Sequence, residues 1–512
     1  MPIVQQGAIN TTALLVPDVY VQIVPPQVAE LNGVPTNVLG IVGTASWGPV
    51  NSPAIAGDMA GYAEAFGPIK ARKYDMGTQV AAAVLQGANN FRCVRVTDGT
   101  DTAASADVMD TAGTPAIGMT VTAKYTGTLG NNISVDVANG SKANSWKVTL
   151  SMPGRVPEVF DNITGTGAAL WQAMVDAINL GISGLRGPSK LAVATVASST
   201  AAPAAASYTM AGGTDGATTI DASVMLGVDT GARSGMYSLR GTGASVALLA
   251  DLDDSTSWTD QVSFGLAEGI YMILVGPNGQ DVTTAITTKT TAAIDSYAAK
   301  VMLGDWVYFQ DTVNDQQRLI SPQGFAAGRI INLSPEQSSL NKQIYGIVAT
   351  QKTAANQTYS DADIQALAGA GIDVITAPSP GGDYFACRIG HNASSNALTN
   401  GDNYTRMTNY IASTLNAGMG VYIGKVQSAT ERLNAKSTLD HFLSNLEDQG
   451  MIGDPNGGPA FSVVLDSSNN PTSRVALGYQ QADVKVKYLG IVEKFLINVE
   501  GNSAVTITHQ AA

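Results

Sequence analysis

Both ends of this chain carry strand patterns with no partner nearby in sequence, and this limits what the chain can fold into. Near the start, PDVYVQIV sets Val19, Val21 and Ile23 on one side of an alternating segment that stops at Pro25 and Pro26. Near the end, ADVKVKY and KFLINVE alternate again, with Val484, Val486, Phe495 and Ile497 as the apolar positions. The backbone polar groups of a strand need partners. Residues 1–24 and 484–512 are therefore read as extended arms that fray unless something else, such as another subunit, pairs with them.

Between the arms the texture is α/β, interrupted once. The stretch 25–97 gives a strand NVLGIVGTA, a loop through DMAGYAEAFGPI, a helix through MGTQVAAAVLQGA and a β-rich FRCVRVTD. The same texture returns over 215–380, with GIYMILVGP, a helical TTAAIDSYAAKVM, DWVYFQD and AGIDVITAP. Residues 98–214 instead hold Thr- and Val-rich strands, MTVTAKY, NISVDVA and SWKVTLSM, with one helix ALWQAMVDAIN, so a mostly-β domain is inserted into the α/β one. Residues 381–483 form an α+β C-terminal domain with two helices, YTRMTNYIASTLNAG and SATERLNAKSTLDHFLSNLEDQG, each closed by a glycine near its C-cap. The second carries Leu439, Leu443 and Leu446 on one apolar stripe.

Composition narrows the function. A net charge of −13 with 28 basic residues and no basic cluster argues against nucleic acid. No apolar run reaches the ~20 residues of a membrane helix, and the N-terminus lacks the features of a secretory signal. Cys93 and Cys387 are far apart and are expected to be buried thiols. Charged residues make up only 13% of the chain, about half the usual share, and such a surface packs readily against neighbours.

Motifs for chemistry fail on spacing. VLGIVGTASWGPV, residues 38–50, has glycines at 40, 43 and 48, not the G-x-G-x-x-G of a dinucleotide turn. Gly43 and Gly48 match the first part of a phosphate loop, but Pro49 and Val50 stand where Lys and Ser or Thr are needed. Trp47 and Pro49 are expected instead to pack at a domain or subunit boundary. His391, His441 and His509 have no metal spacing, no G-x-S-x-G elbow is present, and no cofactor is expected. Asp251, Asp253 and Asp254 lack a calcium-loop register and read as a solvated turn or helix cap. On the helix 429–449, Arg432 and Lys436 share a face with Asp440, an ordinary ion-pair face or a contact for a partner.

Several stretches in order, PDVYVQIVPP, TNVLGIVGTASWGPVNSP, AKYTGTLGNNISV, YTMAGGTDG, SPQGFAAGRIINLS and ADVKVKYLGIVEKFLINVEG, resemble the tail sheath proteins of contractile-tailed phages, relatives of which occur in phage-tail-like bacteriocins and type VI secretion. The resemblance implies a non-catalytic, subtilisin-like α/β domain bearing an inserted outer domain. It implies a virion protein assembled in the host cytoplasm, stacked in six-fold rings around a tail tube and meeting baseplate and terminator proteins. Contraction from an extended, metastable state would drive the tube through the host envelope. The arms would add strands to neighbouring subunits through Val19, Val21, Ile23, Val484, Val486, Phe495 and Ile497, and Arg432 and Lys436 would face the tube. Alternatives are a capsid or surface-layer protein and, with no catalytic set to support it, an α/β hydrolase.

Overall fold

The computed structural model describes residues 31–184 and 186–499, and the backbone of two short strands, Gln5–Gln6 and Gln22–Ile23, which pair in parallel. Val19, Val21 and His509 lie outside the described residues. The chain divides into two compact units, Leu31–Gly424 on one hand and Met1–Glu30 with Lys425–Ala512 on the other, so residues 381–424 go with the larger unit.

The larger unit is built on a seven-stranded sheet. Its order is Ile372–Asp373, Ala299–Met302, Tyr271–Val275, Val246–Leu249, Leu39–Gly43, Phe91–Arg95 and Ala54–Ala56. All neighbours run parallel except the last pair. Leu39–Gly43 and Tyr271–Val275 are buried at every position, as strands covered on both faces must be. Against the sheet lies the helix Gln323–Ile331, which crosses the helix Met76–Val84 closely through two glycines. A Cβ on Gly324 would come within 2.7 Å of the Gln79 carbonyl oxygen, and one on Gly328 within 2.5 Å of the Ala83 Cα.

Two local readings are corrected here. DMAGYAEAFGPI is not a loop but contains the helix Met59–Phe66, because Asp58 accepts from Gly61 N at 2.7 Å and Gly67, at φ 87°, closes it. TTAAIDSYAAKVM is not one helix. The helix Val282–Thr291 ends, Ala293 turns at φ 53°, and Ala299–Met302 is a central strand. A short, wholly buried apolar run has no exposed face whose period could distinguish strand from helix.

Residues 98–214 carry their own core between two antiparallel sheets. One runs in the order Glu158–Ile163, Trp146–Ser151, Ser134–Asn139, Ala206–Thr209; the other runs Ala192–Val196, Ile117–Ala123, Ser105–Met109. The helix Ala168–Leu180 presents Leu170, Trp171, Met174 and Ile178 to that core. Trp171 lies flush on Gly118, where a Cβ would come within 2.2 Å of the indole.

The smaller unit centres on the helix Ala429–Asp448. Ser428 caps it by accepting from Glu431 N at 3.1 Å, and Ala435, Leu439, Phe442, Leu443 and Leu446 form its buried face. Against it packs a two-stranded antiparallel sheet, Phe461–Val464 with Asp483–Val486. The strand expected at KFLINVE is absent from the described residues, for which 489–499 have no strand partner.

Candidate assembly interface

Open α/β sheets bind ligands in the crevice at the carboxyl ends of the strands, where the strand order reverses. Here that point lies between Leu39–Gly43 and Val246–Leu249, and the protein's own side chains fill it. Asp251, at φ 52° and 2% exposed, accepts from Gln79 Nε2 at 2.8 Å and Ser321 N at 3.0 Å. Gln79 Oε1 in turn accepts from Gly324 N at 2.7 Å. Asp75, fully buried, accepts from Thr78 N and Thr78 Oγ1 at 2.8 and 2.7 Å. Burial pushes its carboxyl up to about 6, although the Thr78 bonds and the Arg72 guanidinium pull it back.

Asp251 is thus no solvated turn, which corrects the sequence reading. From its left-handed backbone position it bonds inward to Gln79 and Ser321. Its neighbours behave as read: Asp253 pairs with Lys73 at 2.8 Å, and Asp254 caps a short turn through Thr256 N. The loop after Leu39–Gly43 is held by packing. It carries Trp47, 1% exposed, into the core of the inserted domain, edge-on to Tyr125 at 5.3 Å, so Trp47 packs at a domain boundary.

The densest set of chemically able side chains is sealed. Lys300 Nζ lies 2.6 Å from Asp373 and 3.2 Å from Asp402, and all three side chains are at most 1% exposed. Asp373 also accepts from the backbone N–H of Val374, Ile389 and Gly390, and Asp402 accepts from the hydroxyls of Tyr271 and Ser339. Burial by itself would lower the Lys300 pKa, but the two carboxylates overcome it and hold it above its ordinary value. The ammonium is held in its charged form, and the three side chains are closed off from solvent. The cluster ties the strand Ala299–Met302 to the start of the helix Asp402–Gly418.

The unsatisfied surface is in the smaller unit. Val484 and Val486 lie in the strand Asp483–Val486, opposite Val463 and Phe461, and the sheet stops at two strands. After it the chain continues with Val492 74%, Phe495 81%, Leu496 84%, Ile497 67% and Val499 87% exposed. The alternation singled out Phe495 and Ile497, but Val492, Leu496 and Val499 are equally bare. Side chains this bare give little packing gain against the roughly 1–2 kcal/mol per residue needed to fix a backbone, and a partner that covers them would supply it. Fully burying each such side chain contributes about 1.5–3 kcal/mol.

The remaining predicted residues are separate from this tail. Ile23 stands opposite Gln6 in the short parallel pair. On the helix, Lys436 pairs with Asp440 at 2.9 Å, both about two-thirds buried, while Arg432 keeps a buried Nε with no hydrogen-bond partner.

No protein-family model and no curated protein sequence matches this chain. Solved structures do. The sheath tail protein of Listeria innocua superposes with a TM-score of 0.60 at 14% identity, covering 86% of this chain and 90% of its own. The sheath tail protein of Desulfitobacterium hafniense gives 0.57 at 15%, covering 88% and 94%. The sheath of an extracellular contractile injection system, PVC, solved in the contracted state, gives 0.55 at 10%, covering 96% and 99%. This chain has the fold of the contractile sheath proteins.

The quoted stretches fall on regular elements of this fold. TNVLGIVGTASWGPVNSP is the central strand and its Trp47 loop, SPQGFAAGRIINLS is the glycine-lined helix crossing, and ADVKVKY is the strand at the open sheet. The helix crossing was missed from sequence. Its signal is the pair Gly324 and Gly328, four residues apart and hence on one helical face. Among the described residues, no helix is long and apolar enough to cross a membrane.

Proposed function

We propose that this protein is the structural subunit of a contractile tail sheath. The observation that carries the reading is the exposed apolar tail 491–499 that follows a two-stranded sheet, on a chain with the sheath fold. Strand addition by the arms of neighbouring copies would complete that sheet. Backbone hydrogen bonds would supply the connection, and Val484, Val486, Phe495 and Ile497 the register. Ile23, with Val19 and Val21, is assigned to the N-terminal contribution.

Six copies per ring, stacked around a tail tube between baseplate and terminator, would contract from an extended state, the compact units moving as bodies while the arms act as hinges. The energy resides in the assembly, so no nucleotide is required. The tube-facing helix is Ala429–Asp448, with Arg432 and Lys436 as its charges. The sheath would be part of a virion assembled in the host cytoplasm. No enzymatic activity is assigned; the cluster at Lys300 is buried from solvent.

Electron microscopy of the purified chain at high concentration tests this. Hollow tubes or rings are expected, and a version lacking residues 489–512 should stay folded but not polymerise. A wild-type chain that remains monomeric, or tubes that form as well without the tail, would refute the reading.

A further inference from the structure

We propose that Lys300 and Asp373 join in an intramolecular amide bond, with Asp402 relaying the protons. The bond lies wholly within the larger unit and does not depend on the sheath reading.

The sheet sets the pair. In the parallel ladder of Ala299–Met302 with Ile372–Asp373, Met302 stands opposite Asp373. Side chains alternate along a strand, so Lys300, two residues before Met302, shares the face of Asp373. Its Nζ lies 2.6 Å from Asp373 Oδ2 and 3.2 Å from each oxygen of Asp402. The His391 carbonyl accepts from the same Nζ at 3.1 Å and helps to fix it. Asp373 is held just as firmly, for its Oδ1 accepts from Val374 N at 2.8 Å and Ile389 N at 3.0 Å, and its Oδ2 from Gly390 N at 2.9 Å. An amine, a carboxyl carbon and a second carboxylate are therefore locked together out of solvent, the arrangement that condensation needs.

The chemistry balances without any further reagent. Asp402 takes one proton from the ammonium and returns it to Asp373 Oδ2, leaving a neutral amine beside a neutral acid. The Nζ lone pair attacks Cγ, and negative charge gathers on Oδ1, at which two backbone N–H groups already point. The Nζ–Cγ bond forms, the Cγ–Oδ2 bond breaks, and Oδ2 leaves as water. Of the three ammonium protons one stays on the amide nitrogen and two depart in that water, while Asp402 ends as it began.

Burial drives the reaction forward. An ammonium and a carboxylate out of water are costly to keep, and a neutral amide that retains the Oδ1 hydrogen bonds removes both charges. Hydrolysis is hindered because the side chains are closed off from solvent. The two carboxylates favour the ammonium, so the free amine is rare and the bond forms slowly after folding.

Mass spectrometry of the full chain, denatured after prolonged incubation in the folded state, tests this. The wild type is expected to be lighter than its sequence by one water, and digestion should yield a branched peptide joining Lys300 to Asp373. Asp402→Asn keeps both partners but should slow formation about a hundredfold or more, the scale of a lost proton relay. In Asp373→Asn the leaving group is ammonia, so one ammonia should be lost instead of water. Lys300 and Asp373 recovered only in separate linear peptides, or a water lost at some other residue, overturns the proposal. Wild-type rates in Asp402→Asn overturn the relay. The wild-type mass decides the bond even if a variant fails to fold.

Discussion

Replacing Lys300 with methionine removes the cation that bridges two carboxylates that are at most 1% exposed. Asp373 would keep three backbone donors, and Asp402 would keep the hydroxyls of Tyr271 and Ser339, so neither is stripped entirely. Breaking a buried pair by removing one partner typically costs about 3–5 kcal/mol, because a charge is left uncompensated. With an unfolding entropy of ~2 cal/mol/K per residue, a unit of this size should melt about 4–6 °C lower. In the wild type the Lys300 pKa is raised in the folded state. Its contribution is therefore complete at any pH below the unfolded value, and it fades only as pH rises through the folded one. Thermal melting of Lys300→Met beside wild type at pH 8 is the assay. A melting point within ~1 °C of wild type would refute the assignment of this cluster as a structural tie.

Other consequences are open to measurement. Asp75 titrates near 6 when folded and near 3.8 when unfolded, so it makes stability fall as pH rises through that window; Asp75→Asn, which can still cap Thr78 N, should flatten this slope in a pH series of denaturation midpoints. Gly118→Ala drives a methyl into the Trp171 indole and should destabilise the inserted domain by about 1–3 kcal/mol, seen as faster hydrogen exchange over residues 104–210 and little change in the sheet around Leu39–Gly43. Cys93 and Cys387 are fully buried, and burial pushes the Cys93 thiol up to about 12; neither should react with iodoacetamide until the chain is denatured, and labelling of the native protein would contradict their placement.

What the sequence determined by itself was whatever has a local cause. Alternation placed Asp483–Val486, the apolar stripe Leu439, Leu443 and Leu446 placed the helix of the smaller unit, and the wrong glycine spacing in VLGIVGTASWGPV removed the phosphate loop. Of the stretches that carry the resemblance, SPQGFAAGRIINLS has a physical cause on the page, since Gly324 and Gly328 let two helices cross closely. Tertiary structure decided the rest. Ala299–Met302 reads as helix until it is seen buried on all sides between two parallel neighbours, and Asp251 reads as surface until Gln79 and Ser321, far away in sequence, close over it. Lys300, Asp373 and Asp402 share no motif; two strands of the sheet and the start of the helix Asp402–Gly418 bring the carboxylates within 3.2 Å of the ammonium. The period of a strand is written in neighbouring residues, whereas the burial that decides a charge's role is set by residues a hundred positions away.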